Sequence, residues 1–203
     1  MKLLLATNNA HKAREIREIL GERFSEILTM KEAGIELDVD EDGSTFAENA
    51  QKKARETLAY VGDRFDAVLA DDSGLCVDAL NGAPGVYSAR FSGDAHNDAK
   101  NNEKLIELLK DVPDPLRTAR FCCCVALQRV GAEPIVAQGE VEGTILHESR
   151  GENGFGYDPF FFYAPFQKSF AELSADEKNA VSHRKRALQK LKEALDVENR
   201  GRF

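Results

Sequence analysis

Leu3-Leu4-Leu5-Ala6 is an unbroken apolar run, the pattern of a strand buried on both faces, and polar Thr7-Asn8-Asn9 ends it at once. Over residues 10–22 the spacing becomes helical: Ile16, Ile19 and Leu20 share one face, while Lys12, Arg14, Glu15, Arg17 and Glu18 cover the rest. A short strand is predicted near 26–30, then an acidic loop from Asp38 to Asp42. A helix over 46–61 follows, with a capping box in Thr45-Phe46-Ala47-Glu48 and a stop at Gly62. Ala67-Val68-Leu69-Ala70 reads as a short buried strand with Asp71-Asp72-Ser73-Gly74 at its carboxyl end. Residues 81–98 are rich in Gly, Pro, Asn, Asp and Ser, so they predict a long loop before a helix over 97–110. The period then drops to two. Residues 118–128 and 135–141, joined through Gly131-Ala132-Glu133-Pro134, predict a long antiparallel hairpin. A glycine-rich loop from Gly151 to Asp158 precedes the apolar strand Phe160-Phe161-Phe162. A last helix covers 183–196, and Arg200 to Phe203 reads as a frayed tail.

This order predicts an α/β fold in one domain over residues 1–203. Its two lobes are a central mixed β-sheet flanked by helices and an antiparallel hairpin lobe, with an interlobe cleft as the natural ligand site. No run approaches the roughly 20 apolar residues that cross a membrane, and the apolar start is too short for a signal peptide, so a cytoplasmic protein is expected. The 35 acidic against 27 basic residues argue against a nucleic-acid coat, yet leave room for a small anion in a local basic pocket. Cys76 and the run Cys122-Cys123-Cys124 lack CxxC spacing. Adjacent strand residues face opposite ways, so buried free thiols are expected.

Five constellations carry chemistry. Thr7-Asn8-Asn9-Ala10-His11-Lys12 joins a strand end to a helix start, an anion site with a lysine nearby, or else ordinary capping by Asn8 or Asn9. Asp71 and Asp72 repel each other unless one meets a cation or a proton; magnesium shared with phosphates answers that, and a turn is the bland alternative. The acidic run Asp38, Asp40, Glu41, Asp42 offers a further metal carboxylate or is solvated surface, and Glu48 is explained by its capping duty. In Gly154-Phe155-Gly156-Tyr157-Asp158, Phe155 or Tyr157 can stack on a base and Asp158 can accept its N–H groups, unless these are core aromatics in a tight connection. Finally, Ser182 reads as an N-cap, so His183-Arg184-Lys185-Arg186 places cations where the helix dipole disfavours them. A bound phosphate or carbonyl, with Lys178 as a further donor, relieves that conflict, and a solvated basic face is the alternative.

Taken together the motifs resemble the inosine/xanthosine triphosphate pyrophosphatase family. The matching stretches are Ala6 to Lys12, Thr45 to Ala50, Ala70 to Leu75, Gly82 to Phe91, Gly154 to Pro159 and Glu177 to Arg184, in family order along nearly the whole chain. The resemblance implies a homodimer that hydrolyses non-standard purine nucleoside triphosphates (ITP, dITP, XTP) to the monophosphate and pyrophosphate with Mg2+, and no nucleic-acid or membrane partner. It implies that Thr7, Asn8, Asn9, Ala10, His11 and Lys12 hold the phosphates. Asp72 is then the proton acceptor and a metal ligand, with Glu41 as the second ligand and Asp40 one place away. Ser73, Phe155, Gly156, Tyr157, Asp158, Lys178, His183 and Arg184 meet the substrate. Asn8 stands where many members carry glycine, which raises the question of a positive φ there.

Overall fold

The computed structural model describes residues 1–94 and 97–200, with side chains through residue 198. Residues 95–96 of the predicted loop and 201–203 of the predicted tail lie outside the described residues. The strands are β1 (Lys2–Leu5), β2 (Glu26–Thr29), β3 (Ala67–Val77), β4 (Thr118–Arg129), β5 (Ile135–Ile145), β6 (Phe161–Tyr163) and β7 (Lys168–Ser169). The helices are α1 (Ala10–Leu20), α2 (Phe46–Val61), α3 (Asp98–Leu109), α4 (Ala175–Val181) and α5 (His183–Arg200). The strands form one mixed sheet in the order β2-β1-β3-β4-β5-β6-β7. β1 runs parallel to β2 and β3, whereas β6 is antiparallel to β5 and β7. Residues 130–134 join β4 to its neighbour β5, a link far too short for a parallel crossover, so the predicted hairpin is present. No described helix is long and apolar enough to cross a membrane.

The chain divides into two compact units, Met1–Asp72 with Cys123–Gly139 and Arg184–Phe203, and Ser73–Cys122 with Glu140–His183. In the first, strand alternation sorts the core into two halves. Leu3, Leu5, Ala67 and Leu69 pack with Ala13, Ile16 and Leu20 of α1 and Ala187, Leu188 and Leu191 of α5. Leu4, Ala6, Val68 and Ala70 pack with Ala50, Ala54, Leu58 and Val61 of α2. In the second unit, Leu75 and Val77 join Leu105 and Leu109 of α3, and Phe121 stacks among Phe161 and Phe170.

Several elements differ from expectation. The third strand does not stop at Ala70: Asp71 to Gly74 lie inside β3, neither at a strand end nor in a turn. Leu75 and Val77 continue the alternation into a second core, and this keeps the strand going. Gly74 permits it, because a Cβ there would sit 2.3 Å from Ser88 Oγ and 2.5 Å from the Gly85 carbonyl oxygen. The predicted loop contains a 3-10 helix at Gly85–Arg90. α4 was not anticipated, although Ser174 and Glu177 form a full capping box at its start. The capping box predicted for α2 is present, with Thr45 accepting from the Glu48 N–H.

Candidate active site

Asp71 and Asp72 are successive residues of one strand, so they continue opposite halves of the core, and their surroundings differ in sign. Asp71 extends the face toward α1 and α5. Its Oδ2 accepts from Arg184 Nε at 3.0 Å, and Lys12 Nζ lies 2.9 Å from Oδ1. Arg184 Nη1 also donates to Glu15 at 2.7 Å, so two cations and two carboxylates form one buried network. Burial alone would raise the Asp71 pKa, but Lys12 and Arg184 outweigh it and hold the carboxyl well below the usual range.

Asp72 extends the opposite face, toward α2. Its Oδ2 accepts from Asn49 Nδ2 at 2.9 Å, and Asn49 Oδ1 in turn accepts from the Gly43 N–H at 2.7 Å. One buried amide therefore ties Asp72 to the end of the acidic loop. Burial pushes the Asp72 carboxyl up to about 6; the Asn49 hydrogen bond opposes this and the charge of Glu41 reinforces it. Within the acidic run, Asp40 and Asp42 are exposed, whereas Glu41 is half-buried and ion-paired with Lys53. Replacing Asn49 by Ala strands the Gly43 N–H and removes a donor from Asp72, an expected cost of about 2 kcal/mol by thermal unfolding. Because that donor favours the ionised carboxyl, its loss also moves the acid limb of turnover to higher pH, as a pH–rate profile will test.

At the strand-to-helix junction, the capping alternative is realised by Asn9, whose Oδ1 accepts from the His11 and Lys12 N–H groups at 2.9 and 3.2 Å. Thr7 Oγ1 accepts from the Asn9 N–H, and Asn8 Oδ1 accepts from the Lys31 N–H at 3.0 Å. Asn8 is not among the positive-φ residues, so the glycine often found there is not required by the backbone. Lys12 is not a mobile charge, since it is anchored on Asp71; two further ammonium hydrogens remain for an anion.

In the second unit, Lys178 on α4 is buried, with Nζ 2.5 Å from Asp158 Oδ2 and 4.5 Å from the Phe155 ring centroid. Asp158 Oδ2 also accepts from the Phe155 N–H at 2.9 Å. Gly154 lies at φ +79°, and a Cβ there would sit 2.1 Å from that same oxygen. Asp98 and Asn102 of α3 hold the backbone of Gly156 at 2.7 and 2.9 Å. Tyr157 belongs to the core and donates its hydroxyl to the Ser88 carbonyl at 2.8 Å, the core-aromatic alternative, whereas Phe155 is outside that cluster. His183 stacks on Phe121 with ring centroids 5.0 Å apart. Ser73 is half-buried on β3. Ser182 separates α4 from α5 and closes α4 by donating its N–H to the Lys178 carbonyl. The dipole conflict read from the sequence is met for Arg184 by Asp71 and Glu15, without a ligand.

Two of these residues escaped the sequence reading. Glu15, expected on the polar face of α1, is buried as the partner of Arg184. Asn49 is polar beside the apolar stripe of α2, the one signal that marked it.

Residues 3–194 match the sequence pattern of the Ham1 family. A dITP/XTP pyrophosphatase from Clostridium perfringens is 54% identical over 197 residues, 96% of this chain and 97% of that relative. The chain belongs to the Ham1 family. Among solved structures, the Ham1 protein of Staphylococcus aureus superposes with a TM-score of 0.86 at 37% identity, covering 98% of this chain and 100% of that one. A nucleoside-triphosphatase / dITP/XTP pyrophosphatase from Mycobacterium abscessus gives 0.77 at 42% identity, over 94% and 98%. The Ham1 assignment accounts for the α/β fold and the mixed sheet predicted from the hydrophobic pattern.

Proposed function

We infer that the chain is a nucleoside-triphosphate pyrophosphatase that hydrolyses non-standard purine nucleotides, dITP and XTP as its relatives are named, and ITP with them. The observation that carries the chemistry is Asp72, a buried carboxyl with its pKa pushed up to about 6 beside the charge of Glu41. Such a group accepts a proton near neutrality, and the pair of hard oxygen donors favours a divalent cation. Among the described residues no group of three or more His, Cys, Asp or Glu is placed to hold a metal. Two carboxylates suit Mg2+, which takes one or two carboxylates and completes its shell with phosphate oxygens and water. Asp72 and Glu41 would hold the ion, which supplies charge neutralisation at the phosphates when bound.

The protein's own groups then divide the work. Thr7 to Lys12 hold the phosphates, with Lys12 positioned by Asp71. Asn49 orients the Asp72 carboxylate, which takes the proton of the attacking water. In the second unit, Phe155 stacks on the base while Asp158, Lys178, His183 and the Gly156 backbone meet its polar edge and the sugar, and Ser73 touches the substrate. Arg184 is held by Asp71 and Glu15, which fixes the guanidinium that would meet a 6-oxo group. A site that donates to a 6-oxo oxygen leaves its donors unpaired with adenosine, which supports discrimination on the order of 10⁴. By resemblance the enzyme is a homodimer acting on the cytoplasmic nucleotide pool.

Pyrophosphate release from ITP, dITP, XTP and ATP, with and without Mg2+, tests it. Fast release from the first three that collapses on chelation is expected. Equal rates for all four would refute the selectivity, and turnover indifferent to chelation would remove the metal.

A further inference from the structure

The proposed reaction makes no use of the cysteines, and β4 sorts them. Cys123 is buried with its Sγ 3.9 Å from Asp71 Oδ2, and Cys124 is buried among residues packed on α2. Burial pushes both thiols up, that of Cys124 to about 11. Cys122 is different. It is partly exposed, as is Cys76 on the neighbouring strand β3. Thr118 Oγ1 and Arg120 Nη2 of β4 both reach Asp78, the residue after β3, at 2.7 Å, while Cys123 lies against Asp71, so β4 runs back along β3 and brings Cys122 beside Cys76. The Cys122 hydrogen bond draws the Cys76 thiol below its usual range against burial, helped by the Arg120 guanidinium and opposed by Asp78 and Glu140. The Cys122 thiol moves the other way, raised by the neighbouring Cys76 sulfur and by burial. Residues facing each other across strands have Cβ atoms roughly 4.5–5.5 Å apart, close to the span of a disulfide.

We propose that Cys76 and Cys122 form a cross-strand dithiol that reacts with hydroperoxides, Cys76 attacking and Cys122 resolving. The Cys76 thiolate attacks the terminal peroxide oxygen. A sulfur–oxygen bond forms, the oxygen–oxygen bond breaks, and the leaving oxygen takes a proton, departing as water when the peroxide is H2O2. The Cys122 sulfur then attacks the sulfenic sulfur of Cys76, the disulfide forms, and the hydroxyl leaves as a second water. The two thiols lose two electrons and two protons, and the peroxide is reduced by two electrons.

Reduced wild-type protein treated with one equivalent of hydrogen peroxide, alkylated and digested without reductant will yield the Cys76 peptide joined to Cys122, lighter by two hydrogens. Limiting iodoacetamide will modify Cys76 about 10-fold faster than Cys123 or Cys124, because the thiolate is the reactive form. In Cys122→Ser the crosslink disappears and dimedone traps a sulfenic acid at Cys76; in Cys76→Ser both are lost. Absence of a crosslink in the wild type, a crosslink to Cys123 or Cys124, or one formed only between chains overturns the proposal. The wild-type map decides even if a variant fails to fold.

Discussion

Asp72→Asn will abolish turnover and at the same time raise the melting temperature in metal-free buffer at pH 8. The folded pKa of about 6 lies above the ordinary 3.8, so the native state binds this proton more tightly than the unfolded chain does. The favourable contribution is complete below pH 4 and is lost as pH rises through 6. By neutral pH the wild type carries a buried charge at a cost of about 2–3 kcal/mol. Asparagine keeps the shape and the contact with Asn49 but discards that charge, so the gain amounts to about 5 °C or more for a chain of this size. Loss of activity alone would fit many causes, whereas the paired rise in stability follows from the burial of the carboxylate. Scanning calorimetry at pH 5 and pH 8 measures it. A variant that melts below the wild type at pH 8, or one that keeps near-native turnover, would sink the assignment.

Asp71→Asn should have the opposite effect on stability. Removing one partner from a buried ion network costs about 3–5 kcal/mol, since Lys12 and Arg184 lose the charge that offsets their burial. A fall of about 6–20 °C in melting temperature is expected. The pH dependence is also inverted. With the folded pKa below 3.8, the contribution is present above that value and lost as pH falls further, so wild type and variant converge in acid. Denaturant titrations at pH 7 and pH 3 will show the gap and the start of its narrowing. Equal midpoints at pH 7 would mean that the network contributes nothing, and a gap that widens in acid would reverse the assigned sign.

These two outcomes also mark where the sequence was legible. Long periodic segments were, because one pattern decided them: α1, α2 and the β4–β5 hairpin lie where their apolar spacing placed them, and Thr45 with Glu48 announced the start of α2. The continuation of β3 was not, because Asp71-Asp72-Ser73-Gly74 carries turn composition, and only the second core behind Leu75 and Val77 overrules it. α4 is too short for its periodicity to stand out. The candidate site was visible as a set of residue types, yet its division of labour was hidden. Arg184 looked like a ligand's partner because Glu15, more than 160 residues away in sequence, is placed beside it only by folding. That the charge of Glu41 acts on Asp72 was likewise visible only in the fold.

The alternation of β3 has one more consequence, for how the gene can change. Asp71 and Asp72 do different work because one has odd parity in the strand and the other even. Inserting a single residue between Leu69 and Asp71 would carry Asp71 into the place beside Asn49 and leave another residue between Lys12 and Arg184, whereas deleting one would carry Asp72 between those cations and leave Ser73 beside Asn49. A two-residue change would preserve parity and shift only the depth. The length of this segment is therefore under a constraint modulo two, one that a count of conserved letters would not reveal.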